Sequence, residues 1–584
     1  MHYLNMALID KASLLFVPSV VAQEKAFNIL PSGNRAPDST DQNSGYDNTR
    51  ADFSFDRGSN AAATRVNADG LIEKYRENLL LNSNVFNSGV WSNDDTTETS
   101  GFEGYDGTNN AWKLVGNTNA SRHHIVQSIS QGGVNAWSLY AKASGHSYVQ
   151  FGSGSTTNQY VNFDLSDGSI GNIGSDFFSA IAEDIGSGWY RLSVVDKGST
   201  NGFYISLVSS KTAGWLESWT MPNATDGILF QSAQLESGMV STDYLDSTSV
   251  TAKAGVLIDL PRINFDANGE NGSLLLEPSR ANLVQFSEYF GGWNKSTGAI
   301  TITQNYGISP EGVKNSSRIQ FTSSSQHINI STSLGVGVVS TGSVYIKGTN
   351  GETIEFDTGG AGSLKTLNGD WQRIEVTSTS VSSLFLINTF NGATARDIEV
   401  WGAQCEQASY PSSYIPNHGT SGGVTRAADS CNGGGSAESI NSVEGVLYWE
   451  CSALNDDAGT TRVLSISNGT NSNTLYSGYI STTNVIQSQL VVGGVAQTNM
   501  RHTISDRTEF IKVAVLYKNN DHKMYINGEE VETDTSGSVP AANTFDTFNF
   551  DLGQGSFDFY GNVKQVAVFN EALSDSELAT LTTL

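Results

Sequence analysis

The chain has 584 residues, of which 60 are glycine and only 16% are charged, and its formal net charge is −27 at pH 7. This length is too great for one hydrophobic core, and short apolar runs between turn-forming residues predict an all-β chain of several domains. The acidic balance argues against a nucleic-acid partner, because phosphate binding needs a basic surface, and without a run of 18 apolar residues we expect no membrane insertion.

Residues 1–50 contain no sustained periodic pattern. The apolar run at 14–22 is interrupted by Pro18 and follows Asp10 and Lys11, which is atypical of a secretory signal peptide. Polar turn formers then dominate residues 30–48. Because such a composition buries too little apolar surface to fold alone, we predict an extended segment that lies against a partner or a neighbouring subunit.

Two short stretches predict hairpins in front of larger domains. In 51–76, the turn formers Asn67 and Gly70 separate two short strand-like runs. In 251–281, a polar turn at 267–272 separates two further runs. We interpret the first as a collar hairpin and the second as a linker hairpin.

The region 77–250 is followed by a second copy of itself at 282–429, with shorter loops. Five short stretches recur in the same order, which indicates a duplicated domain. The pairs are Asn78-Leu79 with Asn282-Leu283, Ser138-Leu139-Tyr140 with Ser343-Val344-Tyr345, Trp189-Tyr190-Arg191 with Trp371-Gln372-Arg373, Ala233-Gln234-Leu235-Glu236 with Ala403-Gln404-Cys405-Glu406, and Tyr244-Leu245 with Tyr414-Ile415.

Alternation within the copies predicts which side chains face the core. Leu192 and Val194 share one face of a strand, whereas Trp189 and Arg191 share the other. One apolar and one polar face are typical of a strand in an antiparallel sandwich. Each copy is therefore predicted to be a β-sandwich.

From residue 430 the pattern changes to that of a third domain, 430–584. Asn527-Gly528 predicts a two-residue type I′ hairpin turn, which needs positive φ at both positions. Ser574 and Glu577 predict a capping box for a short closing helix.

The cysteines Cys405, Cys431 and Cys451 are odd in number and lack metal-ligand spacing. Cys405 stands where the first copy has Leu235, so we expect a small buried hydrophobe. Unpaired cysteines fit assembly in a reducing cytoplasm.

Several further motifs lie between about residues 50 and 430. They are Phe55-Asp56-Arg57-Gly58-Ser59, Thr64-Arg65-Val66-Asn67-Ala68-Asp69-Gly70, Leu274-Leu275-Leu276-Glu277-Pro278, Trp401-Gly402-Ala403-Gln404-Cys405-Glu406 and Val424-Thr425-Arg426-Ala427-Ala428-Asp429. In combination, these phage-like motifs resemble fibre and spike proteins of tailed bacteriophages, whose modules are similar to carbohydrate-binding jelly rolls. Segments at 523–531 and 561–578 resemble laminin-G and concanavalin-like lectin domains.

The resemblance implies an architecture and a function. We expect tandem antiparallel β-sandwiches, two jelly rolls plus a concanavalin-like sandwich, behind an extended N-terminal segment. The implied protein is a homotrimeric, non-enzymatic fibre or spike on the virion surface, assembled in the bacterial host cytoplasm. Residues 1–50 would bind capsid or tail proteins, and the C-terminal domain would bind host cell-surface glycans. A decoration protein without a ligand and a polysaccharide depolymerase are the alternatives.

Tryptophans are the candidate sugar contacts, because a ring face can stack on the apolar face of a pyranose. Trp189 and Trp371 lie on the outward-looking side of their strands, although each could instead pack under the neighbouring arginine or against another subunit. Trp215 and Trp219 belong to a loop that the second copy lacks.

Two acidic loops offer oxygen ligands that suit calcium. One contains Asp94 and Asp95, and the other contains Asp456 and Asp457. Solvated acidic loops that bind nothing are the alternative, and we expect no other cofactor. His418 beside Gly419-Thr420-Ser421-Gly422-Gly423 matches a nucleophile elbow formally, but this motif needs a strand before it and a helix after it. We interpret it as a flexible linker and expect no catalytic residue.

Overall fold

The computed structural model describes residues 8, 11–17, 53–58, 62–154, 158–198, 200–258, 260–270, 272–296, 298–360, 362–391, 394–456 and 459–584. Strands dominate these residues, and the predicted all-β class with tandem antiparallel sandwiches is confirmed. No helix among them is long and apolar enough to span a membrane. Most of the predicted attachment segment, 18–50, lies outside the described residues.

The strands are numbered in chain order. The N-terminal and collar strands are β1 (Ala12–Phe16), β2 (Ser54–Asp56), β3 (Thr64–Val66), β4 (Ile72–Lys74) and β5 (Arg76–Asn78). The first jelly roll contains β6 (Trp91–Asp94), β7 (Thr96–Phe102), β8 (Ala111–Gly116), β9 (His123–Gln131), β10 (Asn135–Ser144), β11 (Tyr148–Gly152), β12 (Tyr160–Asp164), β13 (Ser169–Ile173), β14 (Phe177–Gly186), β15 (Trp189–Asp196), β16 (Thr200–Leu207) and β17 (Gly227–Ser237).

The linker strands are β18 (Ala252–Ala254), β19 (Ile263–Asn264), β20 (Ser273–Leu276) and β21 (Arg280–Asn282). The second jelly roll contains a 3-10 turn at Phe290–Gly292 and strands β22 (Asn294–Lys295), β23 (Thr301–Thr303), β24 (Ser317–Phe321), β25 (His327–Ser331), β26 (Val339–Gly348), β27 (Thr353–Asp357), β28 (Ser363–Thr366), β29 (Gln372–Thr379), β30 (Leu384–Asn388) and β31 (Arg396–Glu406).

The C-terminal region contains the remaining strands and one helix, α1. They are β32 (Val424–Arg426), β33 (Ser430–Gly434), β34 (Glu444–Ala453), β35 (Arg462–Ser467), β36 (Thr474–Tyr479), β37 (Val485–Val492), β38 (Val495–Ala496), β39 (Met500–Thr503), β40 (Ile511–Lys518), β41 (Asp521–Ile526), β42 (Glu529–Asp534), β43 (Thr547–Asn549), β44 (Gly561–Phe569) and α1 (Asp575–Thr582).

Each jelly roll is a pair of facing sheets. In the first, the sheet orders are β14-β15-β10-β17-β8-β7 and β13-β12-β11-β16-β9-β6. In the second, they are β22-β25-β30-β27-β28 and β23-β24-β31-β26-β29. The predicted inward faces are confirmed, because Leu192 and Val194 are fully buried in the first core and Ile374 lies in the second.

The two copies share side-chain bonds as well as sequence. Asn78 donates from its side chain to the backbone oxygens of Ala233 and Leu245, at 3.1 and 2.8 Å. Asn282 makes the equivalent two bonds in the second copy, also at 3.1 and 2.8 Å. The recurring asparagine therefore fastens the entry strand to the exit of each sandwich.

The C-terminal sandwich includes strands from outside 430–584. One sheet has the order β19-β20-β44-β34-β40-β41-β42 and also pairs β1 with β44, and the other runs β2-β33-β43-β35-β36-β37-β38 with β39 on β37. The collar strand β2 and the linker hairpin β19-β20 thus close edges of this sandwich, because unpaired strand edges gain ladder hydrogen bonds from any extended segment that reaches them.

The N-terminal strand β1 belongs to the C-terminal sandwich. Ala12–Phe16 pairs with β44 of its own chain. Leu14 and Phe16 are fully buried in the C-terminal core, where their alternation supplies apolar side chains at this edge. The predicted contact of the polar stretch 30–48 with a partner stays a prediction, because this stretch lies outside the described residues.

The phage-like motifs meet in a buried ion cluster between the collar, the linker and the C-terminal sandwich. Arg262 lies 2.7 Å from Glu277 and also binds Asp429, while Arg426 binds Glu277. Arg57 lies 3.7 Å from Asp429. Although burial opposes ionisation, Arg426 and Arg262 hold the pKa of Glu277 well below its usual range. The cluster ties distant segments of the chain together.

Local turn and cap predictions are confirmed. Asn527 and Gly528 have φ values of +49° and +95° between β41 and β42. The capping box of α1 is present at Ser574 and Glu577. Cys405 is fully buried, and the cysteines are all unpaired.

Candidate functional site

A pocket of about 250 Å³ opens on the outer face of the second sheet of the C-terminal sandwich. Its floor follows from strand register, because Val463, Gly478, Gln487 and Arg501 stand in one row across β35, β36, β37 and β39. We call it the outer-face pocket, and it is lined by Thr461, Val463, Tyr476, Ile480, Ser481, Thr482, Gln487, Arg501, Leu552 and Phe557.

Phe557 is the aromatic group of the outer-face pocket. Its side chain is 53% exposed, and its backbone has a φ of +59°. Its carbonyl oxygen accepts a hydrogen bond of 3.2 Å from the backbone of Val463, which holds the loop beside β35. Positive φ is uncommon for a bulky residue, and such strained residues concentrate at functional sites. The backbone therefore presents an exposed ring at the pocket, where it can stack on an apolar face of a ligand.

Polar side chains on the floor are held in place by their neighbours. Tyr476 donates to Gln489 at 2.8 Å, and Gln487 donates from its amide nitrogen to Asn499 at 2.8 Å. Burial raises the pKa of Tyr476, so the phenol stays protonated. These bonds leave the amide oxygen of Gln487 and a lone pair of Tyr476 available to accept from a ligand.

One wall of the outer-face pocket is supported from behind by a buried arginine. Arg507 donates to the backbone oxygens of Thr482 at 2.6 Å and Ile480 at 3.5 Å. Asp456 lies 3.5 Å from this guanidinium. Asp456, which the sequence indicates as a candidate calcium ligand, therefore helps to position a wall of the pocket.

The tryptophans of the long loop both pack on the first jelly roll, and Trp219 lies against its hydrophobic core. Trp215 rests on Gly152, where a Cβ would stand 1.7 Å from the ring. It also packs near Tyr160, with ring centroids 6.2 Å apart. Trp219 donates from its ring nitrogen to Leu207 at 3.0 Å. The two rings are half-buried, so part of each is accessible.

The other two predicted tryptophans lie in structural positions. Trp189 is only 3% exposed and packs near Tyr105, so neither face of its ring is open to a sugar. This burial argues against the predicted sugar contact at Trp189. Trp371 is half-buried against a small cluster that contains Trp401, and it donates to the backbone of Ile308 at 2.9 Å. Its ring nitrogen is thereby occupied.

The described residues of the acidic loops form no metal cluster. Among the residues described here, no group of three or more His, Cys, Asp and Glu side chains is placed to hold an ion. Hydrogen bonds from Ser121 and Asn117 lower the pKa of Asp95, and Asp94 is exposed. Asp457 lies outside the described residues. Calcium binding stays a prediction.

A larger cavity, about 490 Å³, separates the two jelly rolls and the collar. One of its lining residues, Lys74, lies 2.7 Å from Glu311 and 3.1 Å from Glu288. His418 lines it, and burial lowers its pKa to about 3. The backbone oxygen of His418 accepts from Val134 of the first jelly roll at 2.6 Å. The predicted flexible linker is therefore packed between the two copies at this point.

Sequence reasoning missed Phe557, Arg501, Tyr476 and Gln487. Three of them lie on three different strands, namely Tyr476 on β36, Gln487 on β37 and Arg501 on β39. Phe557 lies in a turn-rich loop. A lone aromatic residue in the polar run 551–558 is the one local signal that could have indicated it.

Residues 453–579 match the model of a laminin-G-type family described as the concanavalin A-like lectin/glucanases superfamily. The predicted lectin-like fold of this region is thus confirmed. All ten residues of the outer-face pocket lie within the matched range. The pocket therefore belongs to the part of the chain that has a recognised fold.

Solved structures with similar regions share little sequence with this chain. A Ruminococcus gnavus IT-sialidase CBM40 bound to α2,3-sialyllactose is 19% identical, covering 24% of this chain and 83% of its own, with a TM-score of 0.21. Domain 4 of AbnA, a GH43 extracellular arabinanase from Geobacillus stearothermophilus, with arabinotriose is 15% identical, covering 27% and 73%, with a TM-score of 0.22.

A CBM22-1–CBM22-2 tandem from Paenibacillus barcinonensis Xyn10C is 12% identical, covering 60% of this chain and 100% of its own, with a TM-score of 0.20. Comparison with curated proteins finds no match.

Proposed function

We propose that this chain is a non-enzymatic fibre or spike protein of a tailed-phage virion, which binds host-surface glycans through its C-terminal sandwich. The observation that carries the proposal is the outer-face pocket, where the exposed ring of Phe557 stands beside hydrogen-bonding side chains. An apolar surface with a few placed polar groups is the usual composition of a ligand site. The lectin-type family match over the same residues supports it.

In this proposal a sugar ring stacks on Phe557 while its hydroxyls bond the floor. Gln487 and Tyr476 accept from sugar hydroxyls, and the hydroxyls of Thr461, Ser481 and Thr482 line the rim. A pocket of about 250 Å³ is small for a ligand site, so it suits one sugar unit of a longer glycan. Single-unit contacts are weak, and binding by several subunits of a homotrimer would strengthen them.

The remaining parts of the proposal follow from the phage-like motifs. Residues 1–50 would attach the chain to capsid or tail proteins, and the two jelly rolls would act as rigid spacers. The buried ion cluster and the shared strands support rigidity, because each joins segments from different parts of the chain. The protein would then stand on the virion surface after assembly in the host cytoplasm.

A glycan array with the full chain tests this proposal. The full chain is required, because strands β1, β2, β19 and β20 complete the C-terminal sandwich and lie outside 430–584. Binding to a defined subset of bacterial surface glycans is the expected result. A chain that binds none of them would favour the decoration protein, and release of reducing ends from a bound polysaccharide would establish a depolymerase.

A further inference from the structure

We propose that the outer-face pocket selects sugars that carry a negative charge, with the guanidinium of Arg501 as the group that binds it. This inference rests on the proposed glycan binding and names its substrate class. Arg501 lies on β39, directly opposite Gln487 of β37, and its side chain is exposed at the pocket.

The charge of the pocket is unusual for this chain. The sequence contains 59 acidic and 32 basic residues. Among the ten lining residues, however, Arg501 is the single charged side chain, and aspartate and glutamate are absent from this set. A pocket whose lining contains one guanidinium and no carboxylate offers its positive charge to an anion.

The guanidinium is available to a ligand. Among the ion pairs and hydrogen bonds described for this chain, none engages the Arg501 side chain, whereas Arg507 behind the same pocket is bonded to Thr482 and Ile480. The two arginines therefore differ in role. Arg507 holds a wall, and Arg501 keeps its five N–H donors for a partner.

The anionic group can be a carboxylate, a sulfate or a phosphate. A guanidinium binds all three through two parallel N–H···O bonds, and the charge makes these bonds stronger than neutral ones. The sugar ring would rest on Phe557, and its charged substituent would extend along the floor to Arg501. A neutral sugar would keep the stacking and lose the charge-assisted bonds, so it would bind more weakly.

Matched pairs of soluble monovalent glycans test the inference on the full chain. The probes are oligosaccharides that end in N-acetylneuraminic, glucuronic or galacturonic acid, each with its carboxyl-reduced counterpart. Glycans that carry a 6-sulfate or a 6-phosphate are each compared with their unsubstituted form. This comparison identifies the anionic group. Wild type is compared with Arg501→Gln, Arg501→Lys and the control Arg122→Gln, which removes an exposed arginine from the first jelly roll.

We expect wild type to bind at least one charged probe about tenfold or more tightly than its neutral counterpart, which is the effect of losing one charge-assisted bond. Arg501→Gln should abolish that preference, Arg501→Lys should retain part of it, and Arg122→Gln should retain all of it. Equal binding of charged and neutral members, or an unchanged preference in Arg501→Gln, would overturn the inference and leave glycan binding standing. Absence of binding to every probe would count against both proposals.

Discussion

Leu15 of strand β1 faces Ala567 of strand β44 in antiparallel register, so a strand near the start of the chain closes a sheet near its end. Strands β2, β19 and β20 join the same sandwich. The C-terminal sandwich is therefore completed by segments that precede both jelly rolls.

Substitution of Leu14 tests this arrangement. The side chain is fully buried in the C-terminal core, so Leu14→Ala should lower the free energy of unfolding of this sandwich by about 2–5 kcal/mol. Hydrogen exchange of β34 and β44 reports the loss. Leu364→Ala, at a position 48% exposed, is the control and should change little. Unaltered exchange in Leu14→Ala would mean that β1 is not paired with β44.

The buried ion cluster should be sensitive to loss of one carboxylate. Glu277→Gln leaves Arg262 and Arg426 without their shared partner in a buried site, which should cost about 3–5 kcal/mol of stability. The control is Asp397→Asn, because Asp397 pairs with Arg318 at the surface and such pairs contribute about 1 kcal/mol or less. Urea denaturation measures the loss of unfolding free energy in each variant. Equal effects of the two substitutions would contradict the structural role of the cluster.

Low pH should remove the stabilisation that Glu277 contributes to the buried ion cluster. The pKa of Glu277 is lowered on folding, so its stabilisation is fully present above the unfolded pKa of about 4.3 and is lost as the pH falls below it. The difference in unfolding free energy between wild type and Glu277→Gln should thus be largest near pH 7 and shrink below about pH 4. Urea midpoints from pH 3 to 7 measure it. A difference that stays constant across this range would rule out the proposed linkage.

Local signals in the sequence were sufficient for the repeated units. Asn78 and Asn282 recur because each makes the same bonds inside its own sandwich. The turn at Asn527 and the capping box at Ser574 depend on residues that are adjacent in sequence. The turn and the capping box could be predicted because the residues that cause them lie close together along the chain. The duplicated sandwich could be predicted because its short stretches recur in the same order.

Non-local pairing could not be predicted in the same way. The alternation around Leu14 indicates an extended segment with one apolar face, but it carries no information about which distant edge the segment joins. The outer-face pocket has the same difficulty, because Arg501 and Phe557 come together only after the strands adopt their register. The sequence therefore predicted the sandwiches but not the outer-face pocket.

The loop tryptophans offer a separate test of where glycans bind. In Gly152→Ala the new methyl group would overlap the ring of Trp215, so the ring should leave the sheet and its fluorescence should change. Glycan affinity should stay the same, because the outer-face pocket lies in another sandwich. If affinity falls together with the fluorescence change, the tryptophans of the first jelly roll contribute to binding.

The most direct measurement is the affinity of the full chain with Phe557→Ala for the glycan that wild type binds most strongly. Phe557 is 53% exposed and strained, so its removal should leave the melting temperature unchanged and weaken binding about tenfold or more. Phe390→Ala, at a phenylalanine 44% exposed on the second jelly roll, should bind as wild type does. Unchanged affinity in Phe557→Ala would contradict the outer-face pocket as the glycan site.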